Sequence, residues 1–220
     1  MSQKAIGDIY LIWRKDRGDN RIAIGVIKRN QTDGIRFKYI PEGLKKAKAE
    51  GFGGYAGFPE VEKEYKENVI EKFGQRLIRT ERNDLGDFYT FWKINPAYKN
   101  DDYYMLAFTQ GLLATDNYEF LADFNPKKSL SFISEIAGLS KTKVPSDVLK
   151  VGDVLRYEKH AHNSHDNKAV AVYKEDVFLG FVKRLHNNVF YKGKGLIEIQ
   201  VHHLEKNGKI DRAFISINFL

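Results

Sequence analysis

Residues 169–182 read AVAVYKEDVFLGFV, and this stretch decides the fold. Two runs rich in β-branched and aromatic residues flank the polar turn Lys-Glu-Asp, which is the pattern of two short strands. Four further apolar runs of this kind are Ser131–Ala137, Val154–Glu158, Leu196–Leu204 and Arg212–Phe219. The last two are joined by the turn Lys206-Asn207-Gly208, as expected of a closing hairpin. Five or six short strands with few helices predict a small β-barrel.

Upstream of this barrel, the sequence predicts a mixed α+β module. Apolar and polar residues alternate in three runs over residues 5–40, which predicts a three-stranded meander. Pro41 suits the first turn of a helix, and the apolar spacing over residues 59–80 predicts a second helix. Two later apolar runs, Phe88–Ile94 and Tyr103–Phe108, read as strands.

The boundary between the two parts is predicted at Asn125-Pro126-Lys127-Lys128, because proline ends the preceding element and the charge balance changes there. Residues 127–220 hold 16 Lys and Arg against 10 Asp and Glu, whereas the rest of the chain has 20 against 19. We therefore predict an α+β module over residues 1–125 and a barrel over residues 127–220. The basic excess fits an anionic partner and a merely solvated surface equally well.

Composition and motifs narrow the classes of function. The chain has no cysteine, which excludes disulfides, thiolate nucleophiles and cysteine-based metal sites. No apolar run approaches the ~20 residues that a membrane-spanning helix needs, and the N-terminus lacks the pattern of a secretory signal. The P-loop, Gly-x-Ser-x-Gly and His-Glu-x-x-His motifs do not occur. We expect a cytoplasmic protein that is not an enzyme and uses no cofactor and no membrane.

Several separate blocks of the C-terminal part resemble the HIRAN domain family. They are Phe132-Ile-Ser-Glu-Ile-Ala-Gly138, Leu149-Lys-Val-Gly-Asp-Val154, Asn163-Ser-His-Asp166, Ala169-Val-Ala-Val172 and Leu179-Gly-Phe-Val182. Their order and spacing follow the family pattern over about residues 130–220. The resemblance implies a small OB-like β-barrel. Characterised members of the family bind single-stranded DNA, in some cases at its free 3′ end.

The resemblance also implies a binding site around the Asn163-Ser-His-Asp166 block. Asp166 matches the Asp that accepts a hydrogen bond from the terminal sugar hydroxyl in the DNA-end binders, and Asn163 matches the family's Asn. His165 replaces a Tyr but still offers a ring that stacks on a base. Lys159 replaces an Arg, and Lys168 stands where the family prefers Asn. Asp166 has a second interpretation as a cap of its turn, in which an Asn would accept the same bonds.

Cations outside this block complete the predicted site. Lys183 and Arg184 lie close to Phe181 in the sequence, and cations beside an aromatic ring suit single-stranded nucleic acid. By the resemblance, Lys141 stands where end-binding members of the family carry an aromatic pair. The predicted nucleic-acid-binding residues are Lys141, Lys159, Asn163, His165, Asp166, Lys168, Lys183 and Arg184. Four other aromatic residues are expected to belong to the barrel core rather than to a stacking surface, namely Phe178, Phe181, Phe190 and Tyr191.

Two weaker resemblances keep alternatives open. His160, His162 and His165 follow part of the H-x-H-x-D-H pattern of metallo-β-lactamase-type hydrolases, but Ser164 replaces the metal-binding Asp. Residues 1–40 resemble the N-terminal subdomain of HipA-type toxin kinases, a subdomain that is not itself catalytic.

We predict a non-enzymatic protein whose HIRAN-like barrel binds single-stranded DNA or DNA 3′ ends, with no catalytic or metal-ligating residue. The first alternative is a protein-interaction or regulatory module of a toxin–antitoxin or defence system, with a protein partner on residues 1–125. A metal-dependent hydrolase is the less favoured alternative.

Overall fold

A computed structural model gives the fold of the chain. The residues that it describes are 5–16, 18–77, 84–113, 115–193 and 195–220, without the side chains of Gln75 and Ser140. The chain forms two compact units. One comprises residues 6–123, and the other comprises residues 124–220 together with Ala5.

The N-terminal unit is built on a four-stranded sheet. Its strands are β1 (Ile6–Trp13), β2 (Ile22–Asn30), β3 (Gly34–Tyr39) and β4 (Tyr118–Phe124), in the order β3-β2-β1-β4. Antiparallel pairing of β1 with β2 and of β2 with β3 confirms the predicted meander. The rings of Phe37, Phe58 and Phe73 are fully buried and contact one another in the core of this unit.

Helices occupy segments where the sequence pattern favours strands. The unit contains α1 (Pro41–Ala49), α2 (Leu85–Phe91) and α3 (Asp102–Thr109). Pro41 begins α1 as predicted, but the strands predicted over Phe88–Ile94 and Tyr103–Phe108 are wrong. The cause is visible at α3, where the Asp101 side chain accepts a hydrogen bond from the Tyr104 N–H (3.1 Å) and caps the helix.

The helix predicted over residues 59–80 is also wrong. Tyr65 exchanges two backbone hydrogen bonds with Phe37 of β3, both 2.8 Å, and so extends the sheet instead of entering a helix. The helical part of the described segment is a 3-10 turn at Glu71–Arg76, and residues 78–80 lie outside the described residues. Hydrogen bonds to the edge of the sheet satisfy the backbone N–H and C=O groups of Tyr65, although the apolar spacing of this segment favours a helix.

The C-terminal unit is a closed antiparallel barrel. Its strands are β5 (Ser131–Ala137), β6 (Val154–His160), β7 (Ala169–Lys174), β8 (Val177–Val182), β9 (Ile197–Asn207) and β10 (Lys209–Phe219). They close in the order β10-β5-β8-β7-β6-β9. Two short helices, α4 (Leu139–Thr142) and α5 (Val189–Lys192), accompany the strands. The small OB-like barrel predicted from the sequence is therefore confirmed.

The barrel depends on a close approach of β8 to β5 at Gly180. This glycine has φ +143°, and a Cβ atom there would lie 2.4 Å from the Ala137 carbonyl oxygen. An L side chain fits neither the backbone angle nor the space. The glycine of the Leu179-Gly180-Phe181 block therefore serves strand packing.

No helix in the described part of the chain has the length and the apolar character that crossing a lipid bilayer requires.

Candidate nucleic-acid interface

The loop between β6 and β7 is folded by its own polar side chains. Asn163 Oδ1 accepts hydrogen bonds from the backbone N–H groups of His165 (2.9 Å) and Asp166 (3.2 Å). Asp166 Oδ1 accepts one from the N–H of Lys168 (2.9 Å). These are the local bonds by which Asn and Asp form turns. Asp166 therefore caps its turn, and each carboxylate oxygen retains a lone pair for another donor.

The second oxygen of this carboxylate is bound by a residue that the sequence analysis missed. Asn187 lies in the 3-10 turn His186–Asn188 and donates from Nδ2 to Asp166 Oδ2 (2.6 Å) and to the Lys168 carbonyl oxygen (2.7 Å). Asn187 is 1% exposed. A buried amide that serves both acceptors holds the carboxylate in one orientation.

Tyr191 and Lys159 lie beside this loop. The Tyr191 hydroxyl donates to the Ala169 carbonyl oxygen (3.0 Å), and Lys159 Nζ is 5.2 Å from the centre of the Tyr191 ring. Burial raises the pKa of the Tyr191 hydroxyl, and the negative charge of Asp166 adds to this rise. Tyr191 is partly exposed, contrary to the expectation that it belongs to the core, whereas Phe190 is buried as expected.

A cation, an aromatic ring and a carboxylate therefore meet at one end of the barrel. We call this group the loop site and define it as Lys159, Asn163, Asp166, Lys168, Asn187 and Tyr191.

Three other predicted residues have exposed side chains. His165 is part of the same loop, Arg184 follows β8, and Lys141 lies on α4. Helix α4 is held against β8 by the Thr142 hydroxyl, which donates to the Leu179 carbonyl oxygen (3.1 Å). No hydrogen bond within the described residues joins Lys141 or Arg184 to the loop site.

Lys183 requires a correction. Lys183 directly follows β8, whose last residue Val182 pairs with Ile136 of β5, the neighbour of Glu135. Lys183 is 0% exposed, and its Nζ lies 3.0 Å from Glu135 Oε2. The prediction that Lys183 contacts phosphate is therefore wrong, because the side chain is used in a buried ion pair.

The histidines of the H-x-H pattern do not converge on one point. His160 ends β6, and its Nε2 lies 3.6 Å from Glu158 Oε2, whereas His162 and His165 are exposed in the loop. Across the described residues, no group of three or more His, Cys, Asp or Glu side chains is placed to hold a metal ion.

The sequence profile of the HIRAN domain family matches residues 129–193. The barrel contains a HIRAN domain. The matched segment runs from the start of β5 to the end of α5 and includes every residue of the loop site. This match supports nucleic-acid binding as the general function of the HIRAN barrel. The HipA-type resemblance of residues 1–40 stays a prediction, because the match begins at residue 129.

Two solved structures are similar to part of the chain. The crystal structure of the HIRAN domain of human HLTF is 15% identical, covers 40% of this chain and 74% of that chain, and gives a TM-score of 0.34. A protein from Lactobacillus plantarum is 15% identical, covers 42% of this chain and 96% of that chain, and gives a TM-score of 0.32. No curated protein is significantly similar in sequence.

We expect Asn187→Ala to lower the free energy of unfolding of the HIRAN barrel by about 1–3 kcal/mol, because it removes two part-buried hydrogen bonds and the buried amide that makes them. Asn167→Ala is the matched control, since Asn167 is an exposed residue of the same loop. Urea denaturation followed by circular dichroism measures both. Equal stability of the two variants would show that Asn187 does not hold the loop.

Proposed function

We propose that the HIRAN barrel binds single-stranded DNA at the loop site and acts as a binding module without a catalytic step. The observation that carries this proposal is the placement of Lys159 over the Tyr191 ring next to the Asp166 carboxylate. Single-stranded nucleic acid is bound by rings that stack on bases and by cations that contact phosphates. The loop site and its exposed neighbours offer both.

The charged groups of the loop site suit different parts of a nucleotide, the lysines its phosphate and Asp166 a sugar hydroxyl. Lys159 and Lys168 are exposed and reach phosphates next to a base that stacks on Tyr191 or His165. Asp166 would repel a phosphate and accept a hydrogen bond from a sugar hydroxyl. This difference in charge favours a strand that ends in a free 3′ hydroxyl.

The rigidity of the carboxylate supports end recognition as well. Asp166 is bound by the Lys168 N–H and by Asn187 Nδ2 before any ligand arrives. A side chain that is already oriented loses less conformational entropy when it binds a terminal hydroxyl.

Salt dependence tests the proposal. With exposed cations at Lys141, Lys159, Lys168 and Arg184, we expect log K for a labelled single strand to fall with log[salt] at a slope of about −2 to −3, from ~0.7 ions released per phosphate contact. Fluorescence anisotropy titrations at several salt concentrations measure the slope. A flat dependence would contradict phosphate contact.

A matched pair of lysine variants localises the contact in the same titrations. Lys159→Ala should reduce the steepness of the slope by about 0.7. Lys150→Ala should leave the slope unchanged, because Lys150 is also exposed but precedes β6, at the opposite end of that strand from the loop site.

A further inference from the structure

Three aromatic side chains form a row on the outer face of the HIRAN barrel. Tyr173 lies on β7, and Phe178 and Phe181 lie on β8. The centre of the Phe178 ring is 5.5 Å from that of Tyr173 and 5.2 Å from that of Phe181. We call these three residues the aromatic row. Phe178 is 36% exposed, so the expectation that it belongs to the barrel core is wrong.

Strand pairing explains how the row arises. Tyr173 pairs with Phe178, and Phe181 pairs with Ala171, with a register shift between these two pairs. Leu179 points into the barrel and is fully buried, so its neighbour Phe178 points outward. Small Ala171 beside Phe181 leaves that ring partly uncovered.

The row carries a cation at one end and a histidine at the other. The Arg156 guanidinium lies 4.4 Å from the centre of the Tyr173 ring, and the His160 ring lies 6.1 Å from that of Phe181. Glu158 stands between them on β6, where it pairs with Arg156 and lies 3.6 Å from His160. Because these charges compensate one another, ring stacking rather than charge is the main attraction that the row offers.

The aromatic row continues from the loop site. His160, which contacts Phe181, is the last residue of β6 and is followed directly by the loop. Its partner on β7 is Ala169, whose carbonyl oxygen accepts the Tyr191 hydroxyl. A strand that leaves the loop site over the outer face therefore meets Phe181 first, then Phe178 and Tyr173.

We propose that the aromatic row is a second stacking site, on which the nucleotides beyond the one held at the loop site place their bases. This inference rests on the proposed function and extends it from recognition of one nucleotide to binding of several. Site sizes of about 4–16 nucleotides are usual for barrels of this type. The row ends at the turn Glu175-Asp176, whose exposed carboxylates repel phosphate and so set the far limit of the bound strand.

Strand length and one ring deletion test this proposal. We expect the 220-residue chain to bind a strand of about eight nucleotides more tightly than one of about two, because the longer strand reaches the row. Phe178→Ala should weaken binding of the longer strand about tenfold, with little effect on the short one. The loss should be equal at low and high salt, since stacking releases no counterions. Anisotropy titrations with both strands measure these effects.

Two controls separate a lost ring from a damaged barrel. Phe178→Trp retains a stacking surface and should bind the longer strand like the unaltered protein. Val177→Ala removes an exposed apolar group from the neighbouring position of β8 and should also have no effect.

The possible failures of the two proposals are distinguishable. An unaltered protein that binds neither strand would overturn both the proposed function and this inference. Binding that is independent of strand length and of Phe178 would reject the aromatic row alone and leave the loop site standing. Weakened binding of short and long strands alike by Phe178→Ala would also reject it.

Discussion

Substitution of Gly180 by alanine should lower the free energy of unfolding of the HIRAN barrel by about 3 kcal/mol or more, since overpacking and an unfavourable backbone angle each cost about 1–3 kcal/mol. The added Cβ atom would lie 2.4 Å from the Ala137 carbonyl oxygen and 2.9 Å from the Ile136 side chain. Because a backbone oxygen cannot turn away as a flexible side chain does, β8 must separate from β5. This pairing is one of the contacts that close the barrel.

Gly152 provides the control for the backbone angle alone. It has φ +93°, but a Cβ atom there meets nothing within 4 Å. We expect Gly152→Ala to cost about 1 kcal/mol, from the positive φ without a steric clash. Urea denaturation followed by circular dichroism is the appropriate measurement, because both tryptophans, Trp13 and Trp92, lie outside the barrel. Similar losses for the two variants would show that the close approach at Gly180 is unimportant.

The barrel was predictable because each strand is a short apolar run, or a short alternation of apolar and polar residues, between recognisable turns. The pair Ala169–Lys174 and Val177–Val182 differs from the predicted strands by a single residue. Three of the six strand pairs of the barrel join consecutive strands, namely β6 with β7, β7 with β8 and β9 with β10, so local pattern carries half of the topology.

The helices of the N-terminal unit were not predictable from the same patterns. Helix α3 has the run Tyr-Tyr-Met-Leu-Ala-Phe, which is buried on every side, so no polar face interrupts it to reveal a helical period. At Tyr65 the error has the opposite origin, since pairing with Phe37 across 28 residues of sequence overrides a helical spacing.

At the candidate site, sequence reasoning identified the residues that fold their own loop. Asn163 and Asp166 act through bonds to backbone groups two or three residues away, which a local motif encodes. Asn187 acts on Asp166 from 21 residues away, and nothing near either residue signals the pairing. Lys183 was misassigned for the same reason, because its partner Glu135 lies on a different strand.

Recognition of a free 3′ end should depend on Asp166 more than on any other side chain of the loop site. We expect Asp166→Ala to weaken binding of strands with a 3′ hydroxyl about tenfold to a hundredfold, from the loss of a hydrogen bond to a charged group of about 1.5–3 kcal/mol. Binding of strands with a 3′ phosphate should stay the same or improve, because a repulsive charge is removed. Titration of matched strands with hydroxyl, phosphate and blocked ends measures the difference.

The choice of alanine follows from the contacts of the carboxylate. The sequence alone suggests that Asp166→Asn keeps the turn cap, yet the structure shows both oxygens accepting, from the Lys168 N–H and from Asn187 Nδ2. An amide has one oxygen, so its NH2 group would face one of these donors and lose that bond. Asparagine would therefore alter the loop together with the charge.

Asn187→Ala distinguishes the orientation of the Asp166 carboxylate from its contact with a terminal hydroxyl. This variant keeps the Asp166 charge and its bond to Lys168 but removes the buried amide. If Asp166 reads the hydroxyl, Asn187→Ala should weaken binding yet still favour hydroxyl over phosphate ends, whereas Asp166→Ala should abolish that preference. If Asp166 only caps the turn, both variants should weaken hydroxyl, phosphate and blocked ends alike, which would reject end recognition at this site.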